Sequence, residues 1–293
     1  MNLKFALPNG SLSEKLRGYL NTAGYPVVEA NRTGFCGKVG KIEFYQLDRR
    51  MVPHFIDVGY CQAGITGYDL WLASRASNLR SVGELNFSRS TNQPTRWVLV
   101  AKKGFAPADF NDKPARIACE LPELARKLLE KKHLPFKYIL NEIDGSEEQC
   151  VASGLCDLAI IVTETGGSIV ANGLEIFPGC EELLVSTPRI FALDREKFTD
   201  EQEEELQAVS SALQSVVGAQ AYVVVVFNFP AEVEIAQLGL HVSVSPTISP
   251  LSDPKWRAVE ICIPRGDIGV STLKLKRAGA KSINIVGLEG HLE

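Results

Sequence analysis

The sequence has no apolar run approaching the roughly 20 residues that span a bilayer. Its strongest, Tyr222 to Phe227, is only strand-length. Neither a membrane-spanning segment nor a membrane partner is expected. A basic excess is also missing: 31 Lys and Arg against 35 Asp and Glu leave a formal charge of −4. A general nucleic-acid binder carries a positive surface, so nucleic acid is not an expected partner. His54, His133, His241 and His291 are scattered, and no two cysteines stand in a C-x-x-C pair. A zinc site is therefore not expected. The seven cysteines, Cys36, Cys61, Cys119, Cys150, Cys156, Cys180 and Cys262, are odd in number. They read as reduced, mostly buried thiols of a cytoplasmic protein. The opening residues MNLKFALPNGS, broken by Lys4 and Pro8, do not read as a signal peptide.

The composition that is present is ordinary: 293 residues, 45% apolar and 23% charged, enough for about two domains. The first two thirds alternate strand and helix. Leu3 to Leu7 reads as a strand, broken by Pro8-Asn9-Gly10. Ser11-Leu12-Ser13-Glu14 fits a capping box, and Leu12, Leu16, Tyr19 and Leu20 recur at helical spacing up to Gly24. Strands are expected at Lys41–Leu47, Ala63–Thr66, Trp97–Lys102, Arg116–Cys119, Lys137–Leu140 and Asp157–Val162. Helices are expected at Val52–Val58, Pro122–Lys132, Glu147–Ser153, from about Ser168, and from an N-cap at Thr199 to about Ala219. This is α/β grammar. The last 75 or so residues change pattern. Strands Tyr222–Phe229, His241–Ile248, Trp256–Pro264 and Ser282–Leu288 enclose helices Ala231–Leu238 and Asp267–Ala278. That order is β-α-β-β-α-β, the ferredoxin-like unit.

Three strand-to-helix joins carry candidate chemistry. Thr163-Glu164-Thr165-Gly166-Gly167-Ser168 follows a buried strand and opens a helix. Its glycines allow close backbone approach, and N–H groups and hydroxyls there suit an anion such as phosphate. Many such joins use Gly and Ser only to turn, so that reading stays open. Cys61 to Asp69, with Gly64 and Gly67 flanking a short strand end, and Asp144 to Glu148 are two further joins, each carrying a carboxylate.

Together these segments resemble the long form of ATP phosphoribosyltransferase, the first enzyme of histidine biosynthesis. The resemblance rests on ALPNGSLSE, Val52-Pro53, Gly64-Ile65-Thr66-Gly67-Tyr68-Asp69, Gly145-Ser146-Glu147-Glu148, Gly154-Leu155-Cys156-Asp157, Thr165-Gly166-Gly167-Ser168-Ile169 with Ala171-Asn172-Gly173-Leu174, and Pro246-Thr247-Ile248-Ser249-Pro250-Leu251. It implies two lobes like those of periplasmic binding proteins, residues 1–93 with 179–217 and residues 94–178, plus a regulatory ferredoxin-like domain at 218–293. It implies transfer of phosphoribosyl from phosphoribosyl pyrophosphate to N1 of ATP, with Mg²⁺ and no metal site made by protein side chains alone. By the same resemblance Thr163, Glu164, Thr165, Gly166, Gly167 and Ser168 bind the phosphoribosyl group. Asn9, Gly10, Ser11, Gly67 and Asp69 meet the nucleotide, and Glu148 and Arg50 are catalytic. Histidine as effector and assembly into a homo-oligomer are further implications. Asn9, Ser11, Gln46 and Asp48 stand where the family has basic residues, and Gln62 and Ile161 where it has acidic ones. The alternative expectation is a divergent paralogue that binds a phosphorylated ligand or a partner subunit without that activity.

Overall fold

The structure, a computed structural model, describes residues 2–292 except Ser77, Ser90, Ala106, Asn111, Asp112 and Val244. The N-terminal apolar run is strand β1 (Leu3–Pro8), in which every residue but Lys4 is buried, as in a strand covered on both faces. There follow α1 (Ser13–Thr22), β2 (Phe35–Val39), β3 (Ile42–Leu47), α2 (Val52–Asp57), β4 (Ala63–Gly67), α3 (Tyr68–Ala73) and β5 (Leu79–Glu84). A second sheet then forms from β6 (Thr95–Lys102), β7 (Ala115–Cys119), α4 (Pro122–Lys132), β8 (Tyr138–Glu142), α5 (Glu147–Ser153), β9 (Leu158–Thr163), α6 (Gly167–Ala171), β10 (Leu174–Ile176) and β11 (Leu184–Ser186). The chain returns to the first sheet as β12 (Pro188–Leu193) and enters α7 (Asp200–Ala219).

The first sheet runs β2-β3-β1-β4-β12-β5, and the second β10-β6-β9-β7-β8 with β11 also on β6. In the first, β3, β1 and β4 are parallel, and in the second, β8, β7 and β9 are parallel. These are the two lobes. The core of the second lobe is built from Trp97, Leu99, Ile117, Leu158 and Ile160 under the α4 leucines Leu124, Leu128 and Leu129. By contacts the chain divides into one compact unit of Met1–Lys15 with Val28–Leu206 and another of Leu16–Val27 with Gln207–Glu293. Both lobe sheets lie in the first unit.

The second unit contains β13 (Tyr222–Pro230), β14 (Thr247–Pro250), β15 (Trp256–Pro264), α8 (Ile268–Arg277) and β16 (Lys281–Gly287). The sheet order β14-β15-β13-β16, wholly antiparallel, is ferredoxin-like. Val223, Val225, Phe227 and Phe229 of β13 alternate inward against Val259, Ile261, Ile263 and Leu275.

Several expectations are corrected. The helix expected at Ala231–Leu238 is only a 3-10 turn, Ile235–Leu238, with Ile235 its one buried residue. So short a segment with so little apolar face cannot repay helix nucleation. The strand expected at His241–Ile248 forms a regular ladder from Thr247, after Pro246, which has no N–H to give; upstream, the Ser243 N–H donates to the Cys262 carbonyl of β15 at 3.0 Å, and Val244 lies outside the described residues. The capping box expected at Ser11 does not form there, since Ser11 lies in a turn and α1 begins at Ser13. A reciprocal box forms instead at Thr199. Its Oγ1 accepts from the Gln202 N–H at 3.2 Å, and Gln202 Oε1 accepts from the Thr199 N–H at 3.1 Å. All seven cysteines are free thiols, and five are buried.

Gly64 lies where β4 runs against β1, opposite Ala6. A Cβ there would lie 2.7 Å from both Ala6 Cβ and the Ala6 carbonyl oxygen. Gly64→Ala should destabilise the protein by about 1–3 kcal/mol through overpacking. Gly18 is exposed within α1 and a Cβ there meets nothing within 4 Å. Gly18→Ala should stabilise by up to about 1 kcal/mol on helix propensity. Urea unfolding of the two variants checks the contrast.

Candidate functional site

In the first sheet β1 lies between β3 and β4, so successive connections leave it in opposite directions. In an open α/β sheet such a reversal opens a crevice at the carboxyl ends of the strands. The second lobe repeats the device, with β7 between β8 and β9. The four strand ends meet at one cavity of about 280 Å³. Asn9 and Ser11 come from the end of β1, and Thr66, Gly67 and Asp69 from the β4–α3 join. Glu120 and Leu121 follow β7, and Val162 and Glu164 come from the end of β9. Leu12, Leu70, Phe87 and Trp97 add apolar wall. The Thr66 hydroxyl oxygen is buried on that wall and has no hydrogen-bond partner among the described residues.

One side of the cavity is fixed by Asp69. The Trp97 indole N–H donates to its Oδ2 at 3.0 Å, and the Leu70 N–H to its Oδ1 at 2.9 Å. The Asp69 N–H donates to Ser186 Oγ at 3.1 Å. Gly67 is required by the same carboxylate, because a Cβ at 67 would fall 2.3 Å from Asp69 Oδ1. Thr95 Oγ1 donates to the Ser186 carbonyl at 3.0 Å, and Thr187 Oγ1 to Glu84 Oε1 at 2.7 Å. These bonds tie together the two places where the chain crosses between lobes.

The glycine-rich loop is bent back on itself. The Gly166 N–H donates to Thr163 Oγ1 at 2.9 Å, and Gly166 takes a φ of 79° that favours glycine. Val162 and Glu164 line the cavity, whereas Thr165, Gly167 and Ser168 are exposed outside the lining. Glu164 Oε2 accepts from the Thr91 N–H at 3.1 Å. Lys15 Nζ donates to the carbonyls of Ser88 and Thr91 at 3.0 and 2.8 Å. Burial lowers the Lys15 pKa, against the opposing charge of Glu164.

Arg49 and Arg50 occupy the turn between β3 and α2. The Arg49 N–H donates to Asn9 Oδ1, and the Arg50 N–H to Asp48 Oδ1, both at 3.0 Å. Their guanidiniums reach across to the second lobe. Both meet Glu120 Oε1, at 2.7 and 2.9 Å, and Arg50 also meets Asp144 Oδ2 at 2.8 Å. Burial opposes the charge on Arg50, but the hydrogen bond to Glu120 and the nearby carboxylates outweigh it and hold its proton more tightly. Gly10 lies against the Arg49 side chain. Glu148, on α5, is half-buried and outside the cavity lining; its neighbour Glu147 is the buried acid, and burial raises its pKa.

Several of the positions that depart from the resembled pattern have structural partners. Gln46 donates to Ser13 Oγ, Gln62 Oε1 accepts from the Lys4 N–H, and Ile161 is buried among Val98, Val100 and Ile169. Sequence reasoning missed Glu120 and the cavity wall of Phe87 and Ser88. The readable signal for Glu120 was a carboxylate placed directly after a buried parallel strand. Among the described residues no group of three or more His, Cys, Asp or Glu could hold a metal, and no helix is long and apolar enough to cross a membrane.

Comparison with known proteins gives consistent matches. A family profile described as ATP phosphoribosyltransferase matches residues 49–215, and one described as HisG, C-terminal domain, matches residues 219–290. ATP phosphoribosyltransferase 1 of Geobacter sulfurreducens is 28% identical over 286 residues, 96% of each chain. ATP phosphoribosyltransferase of Nitratidesulfovibrio vulgaris (Miyazaki F) is 30% identical over 290 residues, 96% of this chain and 95% of that one. Among solved structures, an ATP phosphoribosyl transferase (HisG:HisZ) complex from Thermotoga maritima aligns with a TM-score of 0.60 at 24% identity, over 72% of this chain and 98% of that one. That likeness supports the fold.

Asp69→Ala leaves the buried Trp97 indole N–H without its acceptor and should cost about 1–3 kcal/mol. Asp69→Asn keeps a carbonyl acceptor and should cost less. Chemical unfolding followed by tryptophan emission checks the order.

Proposed function

The chain belongs to the ATP phosphoribosyltransferase family, in its long form, and from that premise we propose that it joins the phosphoribosyl group of phosphoribosyl pyrophosphate to N1 of ATP, releasing pyrophosphate, as the first step of histidine biosynthesis. The observation that carries this reading is the convergence of four parallel-strand ends on one cavity, lined by Arg49 of the arginine turn and by Glu164 at the start of the glycine-rich loop. The reaction needs a cradle for the 5′-phosphate, cations for the departing pyrophosphate, and stabilisation of an oxocarbenium-like ribose. The loop from Thr163 to Ser168 supplies hydroxyls and N–H groups for the phosphate, and Glu164 supplies an acceptor for ribose hydroxyls. Asn9, Gly10, Ser11, Gly67 and Asp69 form the nucleotide side. The unpartnered Thr66 hydroxyl gives a bound ligand a polar group to satisfy.

Arg50 stabilises the leaving pyrophosphate. Glu148 lies outside the cavity lining, as does Arg50, but Arg50 pairs with the lining residue Glu120. The lining carboxylates Glu120 and Glu164 are the hard oxygen donors that would hold a Mg²⁺ ion brought in with the substrate. Bound there it would neutralise developing negative charge. The lobes 1–93 with 179–217 and 94–178 would form the catalytic part of a cytoplasmic homo-oligomer, with 218–293 binding histidine as effector.

A second reading has its own support: the positions filled by Asn9, Gln46, Gln62 and Ile161 are neutral and have structural partners. It is binding of a phosphorylated ligand or a partner subunit without transfer. Pyrophosphate release from ATP plus phosphoribosyl pyrophosphate with Mg²⁺ separates the two. Turnover is expected, and its absence in folded protein at high concentration would overturn the first reading. Thr165→Ala should weaken phosphoribosyl pyrophosphate binding about tenfold, the loss of one hydrogen bond to a charged group. Calorimetry reads that change. Arg50→Ala should lower turnover more than Glu148→Gln.

A further inference from the structure

We propose that Glu120 and Asp144 are built-in competitors for the diphosphate group that Arg49 and Arg50 bind, so that release of these carboxylates sets the affinity of the cleft for that anion. This role deepens the phosphoribosyl-transfer reading above and rests on it.

The arginine turn is held by its backbone, independently of the carboxylates. Asn9 Oδ1 and Asp48 Oδ1 accept the Arg49 and Arg50 N–H groups, and the Asp48 carbonyl accepts from the Met51 N–H at 2.9 Å. The turn therefore keeps its place when the guanidiniums change partners. Both Nη2 atoms converge on one oxygen, Glu120 Oε1, and both face Asp144, at 3.7 Å from Arg49 and 2.8 Å from Arg50. Two forked cations converging on adjacent carboxylate oxygens offer the donor set that a diphosphate takes up by bidentate hydrogen bonds. The acids come from the other lobe, Glu120 at the end of β7 and Asp144 in the turn before α5.

The Asp144 arm of the clasp is open to solvent. The Asp144 side chain is 59% exposed and the arginines 39% and 35%, whereas Glu120 is 18% exposed. Ion pairs as wet as those to Asp144 hold weakly, and an anion with several charges can displace them without moving a strand. Glu147 and Glu148 stand next to the same turn. Once the arginines turn to a diphosphate, that end of the second lobe is left with like charges, which favours parting of the clasp.

The test is calorimetric titration of inorganic pyrophosphate, and separately of ATP, into the full chain and its variants. Asp144→Asn decides, because its exposed side chain guards against misfolding; Glu120→Gln should follow it. If the clasp is closed about nine tenths of the time, removing both acids (Asp144→Asn with Glu120→Gln) tightens binding about tenfold, and Asp144→Asn alone gives part of that gain, since apparent affinity scales with the open fraction. Glu142→Gln removes an exposed charge two residues from Asp144 without touching the clasp, and little change is expected. A gain for pyrophosphate assigns the arginines to the leaving group, and a gain for ATP alone assigns them to the nucleotide; either supports the competitor role. No gain for either anion in Asp144→Asn, or an equal gain in Glu142→Gln, overturns it. If the wild type binds pyrophosphate and Arg50→Ala does not, the transfer reading stands even when the competitor role falls. No binding by any of these proteins removes both.

Discussion

Trp97 is 2% exposed, and its indole N–H must find an acceptor inside the protein. The acceptor is Asp69, and much of the site follows from bringing those two residues together. Asp69 can turn its carboxylate inward because Gly67 lacks the Cβ that would collide with it. Its own N–H is taken by Ser186, whose carbonyl holds Thr95. The end of β4, the start of β6 and the end of β11 are thereby fixed at one point, and the cavity opens beside it. Residues expected to meet a nucleotide thus also hold the lobes in register.

The readable part of the fold was the part with strong local patterning. Strands β1, β4, β6 and β9 are nearly continuous apolar runs, β3 buries alternate residues, and α4 and α7 have clear faces. Three strands of the first lobe were not legible. In β5, Leu79–Glu84, only Gly83 is buried, so no alternation shows. β12, Pro188–Leu193, begins with a proline and takes its identity from the gap it fills between β4 and β5. β2 is an edge hairpin strand with a register shift at Gly37. The misplaced helix at 231–238 is the reverse case: Val233, Ile235 and Leu238 do pack on the core, but the segment is too short to be more than a 3-10 turn.

The site was legible in the same uneven way. Short motifs at strand ends were found because glycine, hydroxyl and carboxylate residues cluster there for a physical reason. The pairing of Arg49 and Arg50 with Glu120 and Asp144 was not, since the partners are some seventy to ninety-five residues apart and lie on different lobes. Nor could sequence show that Asn9, read as a substitute for a basic ligand-binding residue, anchors the backbone of the arginine turn.

The return of the chain through β12 also constrains the order in which the molecule can assemble. β5 pairs only with β12 in the first sheet, and β12 is synthesised roughly a hundred residues after it. The whole second lobe lies between them as one uninterrupted stretch. During synthesis that lobe can close its own sheet while the first still lacks its fifth strand and exposes an unpaired edge on β4. Long-range pairings of this kind come late, and domains made earlier on the ribosome generally fold earlier. The lobe encoded in the middle of the sequence is therefore the one that can be finished first.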